Sequence, residues 1–381
     1  MNSIVYIVLN IFYTITRLLP FPCKTGIIRI GNPDKNSPVF VTCNYHLTVI
    51  RLKRELSGMD AYLLVANSRG INVWCAACGG HFTNHDIISI LKVSGIEDLV
   101  DHRTIILPQL AAPGIEPKVI KEKTGWRGIW GPVYAKDIQG FTESNLKKTD
   151  EMRKVKFPLI DRFEMAVAWA FPVSFFSTII FLPLWRTAVL PMIGIIWAVS
   201  LLIFLPFPLY EERLKSERKS IGFIIFDFGS GGFQMILWGL FVLGLFGYAV
   251  LTGDFSWPFI FHWGLASLVV ILIISLDLTG STPVFKSGLH EENLLKVSLD
   301  QKKCRGTGIC IEVCPRDCFT LDKKKRKAKM TGADRCEKCA ACIVQCPFDA
   351  LSFVSDDGGT VSPEITRRYK LNLMGKRSVG A

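Results

Sequence analysis

Charge disappears from four stretches of this chain, 165–185, 187–210, 228–253 and 255–276. Each offers about 20 apolar residues, and at about 1.5 Å per residue a helix of that length crosses a hydrocarbon layer of about 30 Å. A buried core helix needs no such length, so the pattern predicts a transmembrane domain of about four helices over 160–280. Pro172, Pro183 and Pro191 kink or bound these helices. Ile221–Phe228 is too short to cross and is expected at the interface. Residues 1–24 form a separate apolar segment, with no basic stretch ahead of it and no small-residue cleavage site. It reads as an interfacial helix ended by Arg17 and Leu19-Pro20-Phe21-Pro22, not as a secretory leader.

Between these apolar regions, residues 25–150 alternate two periods. Pro38–Thr42, Ala61–Val65 and Thr104–Leu107 read as strands; Thr48–Leu56, Asn84–Val93, Glu116–Lys123 and Ala135–Thr142 read as helices. Strand–helix alternation predicts an α/β, Rossmann-like domain with a mostly parallel sheet, whose ligands bind beyond the carboxyl ends of the strands. Behind the apolar block, residues 290–356 form a third domain and 357–381 a tail.

The formal charge is +12, from 45 Lys and Arg against 33 Asp and Glu. The basic residues cluster beside the apolar block and in one short run, as membrane flanks do, so no nucleic-acid partner is expected. The first loop holds only Arg186, and the third, Thr252–Ser256, has neither Lys nor Arg. The second carries Arg213, Lys215, Arg218 and Lys219, while Lys147, Lys148, Arg153, Lys154, Lys156 and Arg162 precede the first span. The positive-inside rule then puts a multi-pass protein in the cytoplasmic (inner) membrane with both soluble domains in the cytoplasm. An even number of spans requires the same.

Of twelve cysteines, eight lie between Cys304 and Cys346. A disulfide scaffold would be short and evenly stapled; this crowding means metal thiolates in a reducing compartment. Cys336-x2-Cys339-x2-Cys342-x3-Cys346-Pro347 is the bacterial ferredoxin run, in which the fourth cysteine serves the other cluster. The third domain is therefore expected to be an α+β, two-cluster ferredoxin. Upstream, Cys304-x5-Cys310-x3-Cys314-Pro315 carries Thr307 where a cysteine belongs. Reciprocal ligation gives one complete 4Fe-4S cluster on Cys336, Cys339, Cys342 and Cys314. The other site keeps Cys304, Cys310 and Cys346. It holds a 3Fe-4S cluster, or a 4Fe-4S cluster whose last iron is open or takes Cys318, since a hydroxyl is a poor ligand beside thiolates. A zinc ribbon would want two widely spaced Cys-x2-Cys pairs instead. The run from Lys323 to Lys329 reads as a solvated hairpin tip, or as a surface for anionic lipid or an acidic electron donor.

After the strand Ala61–Val65 comes Asn67-Ser68-Arg69-Gly70-Ile71-Asn72-Val73-Trp74-Cys75-Ala76-Ala77-Cys78-Gly79-Gly80-His81. Cys75, Cys78, His81 and His85 have metal-ligand spacing, and Cys-x2-Cys also suits a thioredoxin-like dithiol. On either ground the chain would be a membrane electron-transfer iron–sulfur protein with a Cys/His metal or dithiol site.

The segment Arg69–Ala77 also resembles the cap-helix signature of the corrinoid protein of microbial mercury methylation, a relative of the acetyl-CoA pathway corrinoid iron–sulfur protein. The likeness extends through Asp101-His102-Arg103, Leu107–Gly114, and Tyr134-Ala135-Lys136-Asp137 after Gly131-Pro132. That family carries a membrane domain after its corrinoid domain and works with a two-cluster ferredoxin, here fused. The resemblance implies a cobalamin-type corrinoid capped by Asn72, Val73, Trp74, Cys75, Ala76, Ala77 and Cys78. It gives Cys75 the lower axial position on cobalt. It further implies a corrinoid-dependent methyltransferase with a folate-type methyl donor, a low-potential electron donor, and Hg(II) or another soft metal as acceptor. The chain departs from the family at Cys78-Gly79, where the pattern has Gly-Lys. Cys78 would be a second soft ligand one turn from Cys75, able to compete for metal or to form a disulfide.

Overall fold

A computed structural model describes residues 3–214, 233–253, 255–275, 295–355, 358–371 and 377–379. The chain divides into two compact units: 1–10, 19–155 and 290–381 in one, 11–18 and 156–289 in the other.

α1 (Ser3–Ile15) begins in the first unit, where its Tyr6 ring lies 4.5 Å beneath the Arg54 guanidinium and its Asn10 accepts from Arg51 at 2.8 Å. Ile4, Val5, Ile7 and Val8 on the same helix are exposed. Next come β1 (Gly26–Ile30), β2 (Val39–Cys43), α2 (His46–Glu55), β3 (Ala61–Ala66), α3 (Val73–Cys78), α4 (Asn84–Val93), β4 (Thr104–Leu107), α5 (Pro117–Thr124), β5 (Arg127–Trp130) and α6 (Ile138–Glu143). The sheet order is β1-β3-β2-β4-β5, parallel except for β1. Every residue of β2 and β3 is buried, as befits central strands covered on both faces. Two strands go beyond the sequence expectation. The edge strand β1 is only partly buried and contains Arg29, while β5 opens on Arg127-Gly128, so neither shows an unbroken apolar run. From β2 the chain winds one way to β3, then crosses back to β4. The winding therefore reverses between the carboxyl ends of β2 and β4, where open α/β sheets form their crevice.

The second unit holds α7 (Leu159–Leu184), α8 (Val189–Phe204), α9 (Phe207–Leu214), α10 (Phe233–Thr252) and α11 (Trp257–Ser275). Among the described residues four helices are long and apolar enough to cross a membrane: Leu159–Leu184, Arg186–Phe204, Gln234–Thr252 and Trp257–Ser275. Pro172 and Pro183 lie inside α7 and Pro191 in the first turn of α8. Ser200 Oγ donates to the Ala166 carbonyl at 2.8 Å, tying α8 to α7, and Trp238 Nε1 to that of Gly264 at 2.7 Å, tying α10 to α11. Ile221–Phe228 and most of the basic second loop lie outside the described residues.

The chain re-enters the first unit through β6 (Leu295–Leu299), α12 (Ile309–Val313), β7 (Phe319–Asp322), β8 (Lys327–Met330), α13 (Ala341–Gln345), β9 (Leu351–Ser355), β10 (Thr360–Val361) and α14 (Pro363–Arg368). β6 and β10 flank β9, and β7 pairs with β8 as a hairpin. The two halves repeat: a positive-φ residue (Gly308, 78°; Ala340, 68°), a five-residue helix, then Cys-Pro.

Candidate functional site

The loop from β3 to α3 is organised by Asn44, a buried residue directly after β2. Its Oδ1 accepts from Ser68 N (2.8 Å), Ser68 Oγ (3.0 Å) and Gly70 N (3.0 Å). Gly70 has φ of 73°, and a Cβ there would come within 2.5 Å of Pro22 N, so only glycine fits. Asn72 then caps α3, its Oδ1 accepting the Cys75 N–H at 3.0 Å while its Nδ2 approaches Cys75 Sγ at 3.3 Å. Ala76 and Ala77 are fully buried. They must be small, because the Pro108–Gly114 segment passes close beneath: a Cβ on Gly114 would lie 3.1 Å from Ala77 Cα and 2.3 Å from the Phe82 carbonyl. The opposite face presents Cys75, exposed, beside half-buried Val73 and Trp74. His81 Nδ1 is buried with no hydrogen-bond partner, and burial, with the charge of Arg69, lowers its pKa.

None of the twelve cysteines forms a disulfide, so Cys75 and Cys78 are not joined. Among the described residues no three His, Cys, Asp or Glu side chains converge as ligands of a single ion, the set Cys75, Cys78, His81 and His85 included. Asp101-His102-Arg103 lies away from the cap, at the entrance to β4. There His102 Nε2 meets the Ser37 carbonyl at 3.0 Å and Arg103 stacks on Trp126 at 5.3 Å. Cys75 is thus an accessible soft donor raised on the exposed face of a short helix, over closely packed alanines at the carboxyl edge of the parallel strands.

In the third domain, Cys314, Cys318, Cys336, Cys339 and Cys342 line one cavity. A cavity lined by five cysteines suits a polynuclear cluster, where a zinc ribbon would bring four sulfurs to within about 2.3 Å of one ion. The Cys318 thiol donates toward Cys314 and Cys336. It lowers both of their pKa values, that of Cys314 to about 6, while burial raises those of Cys339 and Cys342. Cys318, one of the alternatives for the fourth ligand of the incomplete site, lies beside Cys314 and Cys336. Cys318 N donates to Cys314 Sγ at 3.4 Å, and its carbonyl accepts from Thr331 N at 2.9 Å, which pins it beside the complete set. Cys310 instead neighbours Cys304 and Cys346, and burial pushes its thiol up to about 12. Thr307 is exposed between Gly306 and Gly308.

The ferredoxin-like domain packs on the α/β domain within the same unit. The backbone carbonyl of Cys339 lies 4.0 Å from Cys78 Sγ on the cap helix. Gln345 Nε2 donates to the carbonyls of Ala112 (2.8 Å) and Ile115 (2.6 Å). Arg153, 8% exposed, donates to Asp317 at 2.7 Å and to the Ile311 carbonyl at 3.4 Å, and Val155 N donates to Pro315 O at 2.9 Å. Buried Gln109 links the layers, donating to Arg153 O (2.8 Å) and accepting from Lys148 Nζ (2.8 Å). Lys148, Arg153 and Lys154, which by position look like membrane flanks, are committed to Glu312 and Asp317. The sequence did not mark Asn44, Gln109 or Gln345 as functional. Asn44 alone left a signal, as a buried-type amide closing an apolar strand.

Comparison with known proteins fits this geometry. Residues 6–142 match the family model of the CO dehydrogenase/acetyl-CoA synthase delta subunit, and residues 303–350 that of a 4Fe-4S dicluster domain. The chain is similar to the acetyl-CoA decarbonylase/synthase complex subunit gamma of Archaeoglobus fulgidus, 33% identical over 128 residues, which is 33% of this chain and 27% of that protein. The subunit gamma of Methanothermobacter thermautotrophicus is 37% identical over 115 residues, 30% of this chain and 25% of the relative. The corrinoid/iron-sulfur protein large subunit of Moorella thermoacetica is 30% identical over 130 residues, 34% of this chain and 29% of the relative. The chain thus spans less than a third of the length of these relatives. It combines an α/β domain like that of corrinoid iron–sulfur protein subunits with a 4Fe-4S ferredoxin domain for electron transfer.

Proposed function

We propose that the protein is a membrane-anchored corrinoid iron–sulfur methyl carrier whose own ferredoxin domain keeps it reduced. The corrinoid, when bound, supplies a cobalt nucleophile that accepts and passes on a methyl group. The chain's residues set the conditions for this. Cys75 offers a thiolate donor, Asn72 holds its helix start and its sulfur, and Ala76 and Ala77 let the cap lie close on the Pro108–Gly114 segment. The observation that carries the reading is the pairing of two features on one six-residue helix: Cys75 exposed, and Cys78 against the ligand residue Cys339. A cluster held by Cys314, Cys336, Cys339 and Cys342 is thereby brought to the cap. The four long apolar helices anchor the protein in the cytoplasmic membrane with both soluble domains on the cytoplasmic side. Hg(II) or another soft metal is the methyl acceptor, a folate-type compound the methyl donor, and a low-potential carrier the source of electrons.

Anaerobically purified protein should contain cobalt near one per chain and about seven or eight iron atoms. Cys75→Ala should shift the cobalt spectrum toward a water-ligated or base-off form with only partial loss of cobalt. Cys78→Gly should leave that spectrum nearly unchanged. Protein with zinc and no cobalt, or loss of all metal from the α/β domain in both variants alike, would overturn the reading.

A further inference from the structure

One surface of the ferredoxin domain is strongly basic. Two segments meet there. Loop 300–306 contributes Lys302, Lys303 and Arg305, all exposed, and the β7–β8 hairpin contributes the basic run from Lys323 to Lys329. They are locked together: Gln301 Nε2 donates to Ala328 O at 3.0 Å, and Lys327 Nζ to Cys304 O at 2.7 Å. A Cβ on Gly306 would fall 2.0 Å from Arg326 O. The nearby carboxylates are spent on the backbone. Asp322 Oδ1 accepts from Lys324 N and Lys325 N at 3.0 Å each, and Asp300 Oδ1 accepts from Lys302 N at 2.7 Å. The lysines are thus presented on ordered turns; Asp322 attracts Lys325 and Lys329 and Asp300 attracts Lys302 and Lys303, but two carboxylates do not offset the nine Lys and Arg of these segments.

This basic surface is centred on one cysteine. Ala328 N donates to Cys304 Sγ at 3.4 Å, and Cys304 belongs to the set that lacks a fourth thiolate. The other set, with Cys339, faces Cys78 and the docked α/β domain. The set with Cys339 thus lies next to the cap, while the other set has its Cys304 side beneath a dense positive field and its Cys310 and Cys346 sides, through Ile311, Glu312 and Gln345, toward the α/β domain.

We infer that the surface formed by loop 300–306 and the β7–β8 hairpin is the docking site of an acidic one-electron carrier protein, which delivers electrons to the centre at Cys304, Cys310 and Cys346. One electron leaves the reduced carrier and one arrives on iron of this centre. The carrier is oxidised and the centre reduced; no bond to carbon forms or breaks and no proton is needed. The inference rests on the ferredoxin domain acting as a conduit, and it holds whether or not the α/β domain binds a corrinoid. A dense field of one sign over a redox centre raises association rates with an oppositely charged protein by about 10- to 1,000-fold and makes them salt-dependent. An anionic lipid surface would also be attracted, but the position of the field over a cluster ligand serves electron delivery.

The test uses the full-length, cluster-loaded protein in neutral phosphatidylcholine nanodiscs and photoreduced flavodoxin, an acidic carrier, as the probe. Stopped-flow bleaching of the iron–sulfur absorbance gives the second-order rate constant. Lys323→Glu, Lys324→Glu and Lys325→Glu combined, all on an exposed turn, should lower it about 10- to 100-fold at low salt. The difference should vanish near 0.5 M salt, and reduction by Ti(III) citrate should be the same in both proteins, showing intact clusters. Equal flavodoxin rates for the two proteins would overturn the inference. So would a wild-type rate that falls to the variant's level in discs containing phosphatidylserine, since lipid would then own the surface. Cobalt content does not enter the readout, so failure of the corrinoid reading would be seen separately.

Discussion

Replacing Arg153 by Gln should loosen the ferredoxin domain from the α/β domain while leaving both folded. The guanidinium sits 2.7 Å from Asp317, with side chains 10% and 28% exposed. Breaking a fully buried pair from one side costs about 3–5 kcal/mol. Here the loss is smaller, because Lys154 Nζ remains 3.4 Å from the other Asp317 oxygen. The second carboxylate on Arg153, Asp150, is 81% exposed, and such pairs are worth less than about 1 kcal/mol. A net cost of about 2–3 kcal/mol follows, roughly 30- to 150-fold in the docking equilibrium at about 1.4 kcal/mol per decade. Hydrogen exchange reads this directly, since the Val155 amide is held by Pro315 O across the interface. Its protection should fall by that factor in Arg153→Gln, while the amides of β2 and β3 keep theirs; Arg153→Lys, with charge but no fork, should lose about half as much in free energy. The pair also carries an acid dependence. Burial pushes the Asp317 carboxyl up, but Arg153 and Lys154 outweigh it and hold its pKa below 3.8. Its contribution is therefore complete above about pH 4 and disappears as pH falls through the lowered value. Unchanged Val155 exchange in Arg153→Gln would refute this account of the docking.

Burial lowers the pKa of Lys148 from 10.5 to about 8, against the attraction of Glu312. Between these values the undocked state keeps a proton that the docked state has shed, so docking should tighten as pH rises from about 8 to 10.5, by up to about 3 kcal/mol. Lys148→Met should flatten that rise in the Val155 exchange profile. Thr307→Cys should convert a three-iron EPR signal into that of a four-iron cluster, whereas Cys318→Ala should leave the three-iron signal in place and shift the potential of the complete cluster. A three-iron signal that responds to Cys318 and not to Thr307 would contradict the placement of Cys318. Reporter fusions after Ser220 and Ala381 should report cytoplasm and one after Thr252 the external side; an external C-terminus would sink the proposed anchoring.

The long-period features were legible because they depend on composition and local spacing. The apolar spans, β4, α4 and the pairing of Cys-Pro triplets each announce themselves within a few residues. What escaped depends on partners far away in sequence. Gln345 reads as an ordinary helix-end residue until it meets the Ala112 carbonyl, 233 positions distant. Lys148 and Arg153 look like a membrane flank because the charge that attracts them, on Glu312 and Asp317, lies beyond the whole apolar block. Cys318 was placed by reach along the chain, whereas the hydrogen bonds of its own backbone decide which side it takes. Ala76 and Ala77 were visible as a motif, but their smallness finds its reason only against Gly114.

The return of the chain to its starting domain has a consequence for biogenesis. Arg153 and its acceptor Ile311 are 158 residues apart, and residues 156–289 of the apolar unit are synthesised between them. At about 5–20 residues per second the ribosome needs roughly 8–30 s to make that stretch. For this interval the nascent α/β domain stands finished but unclosed, with Gln109, the Ala112 carbonyl and Cys78 lacking the surface they will meet. Both junctions of the 156–289 segment must end on the same side of any bilayer it crosses, because residues 155 and 290 belong to one unit. A stop ahead of the 303–350 segment would thus leave Cys78 and the Ala112 carbonyl without the partners they meet here.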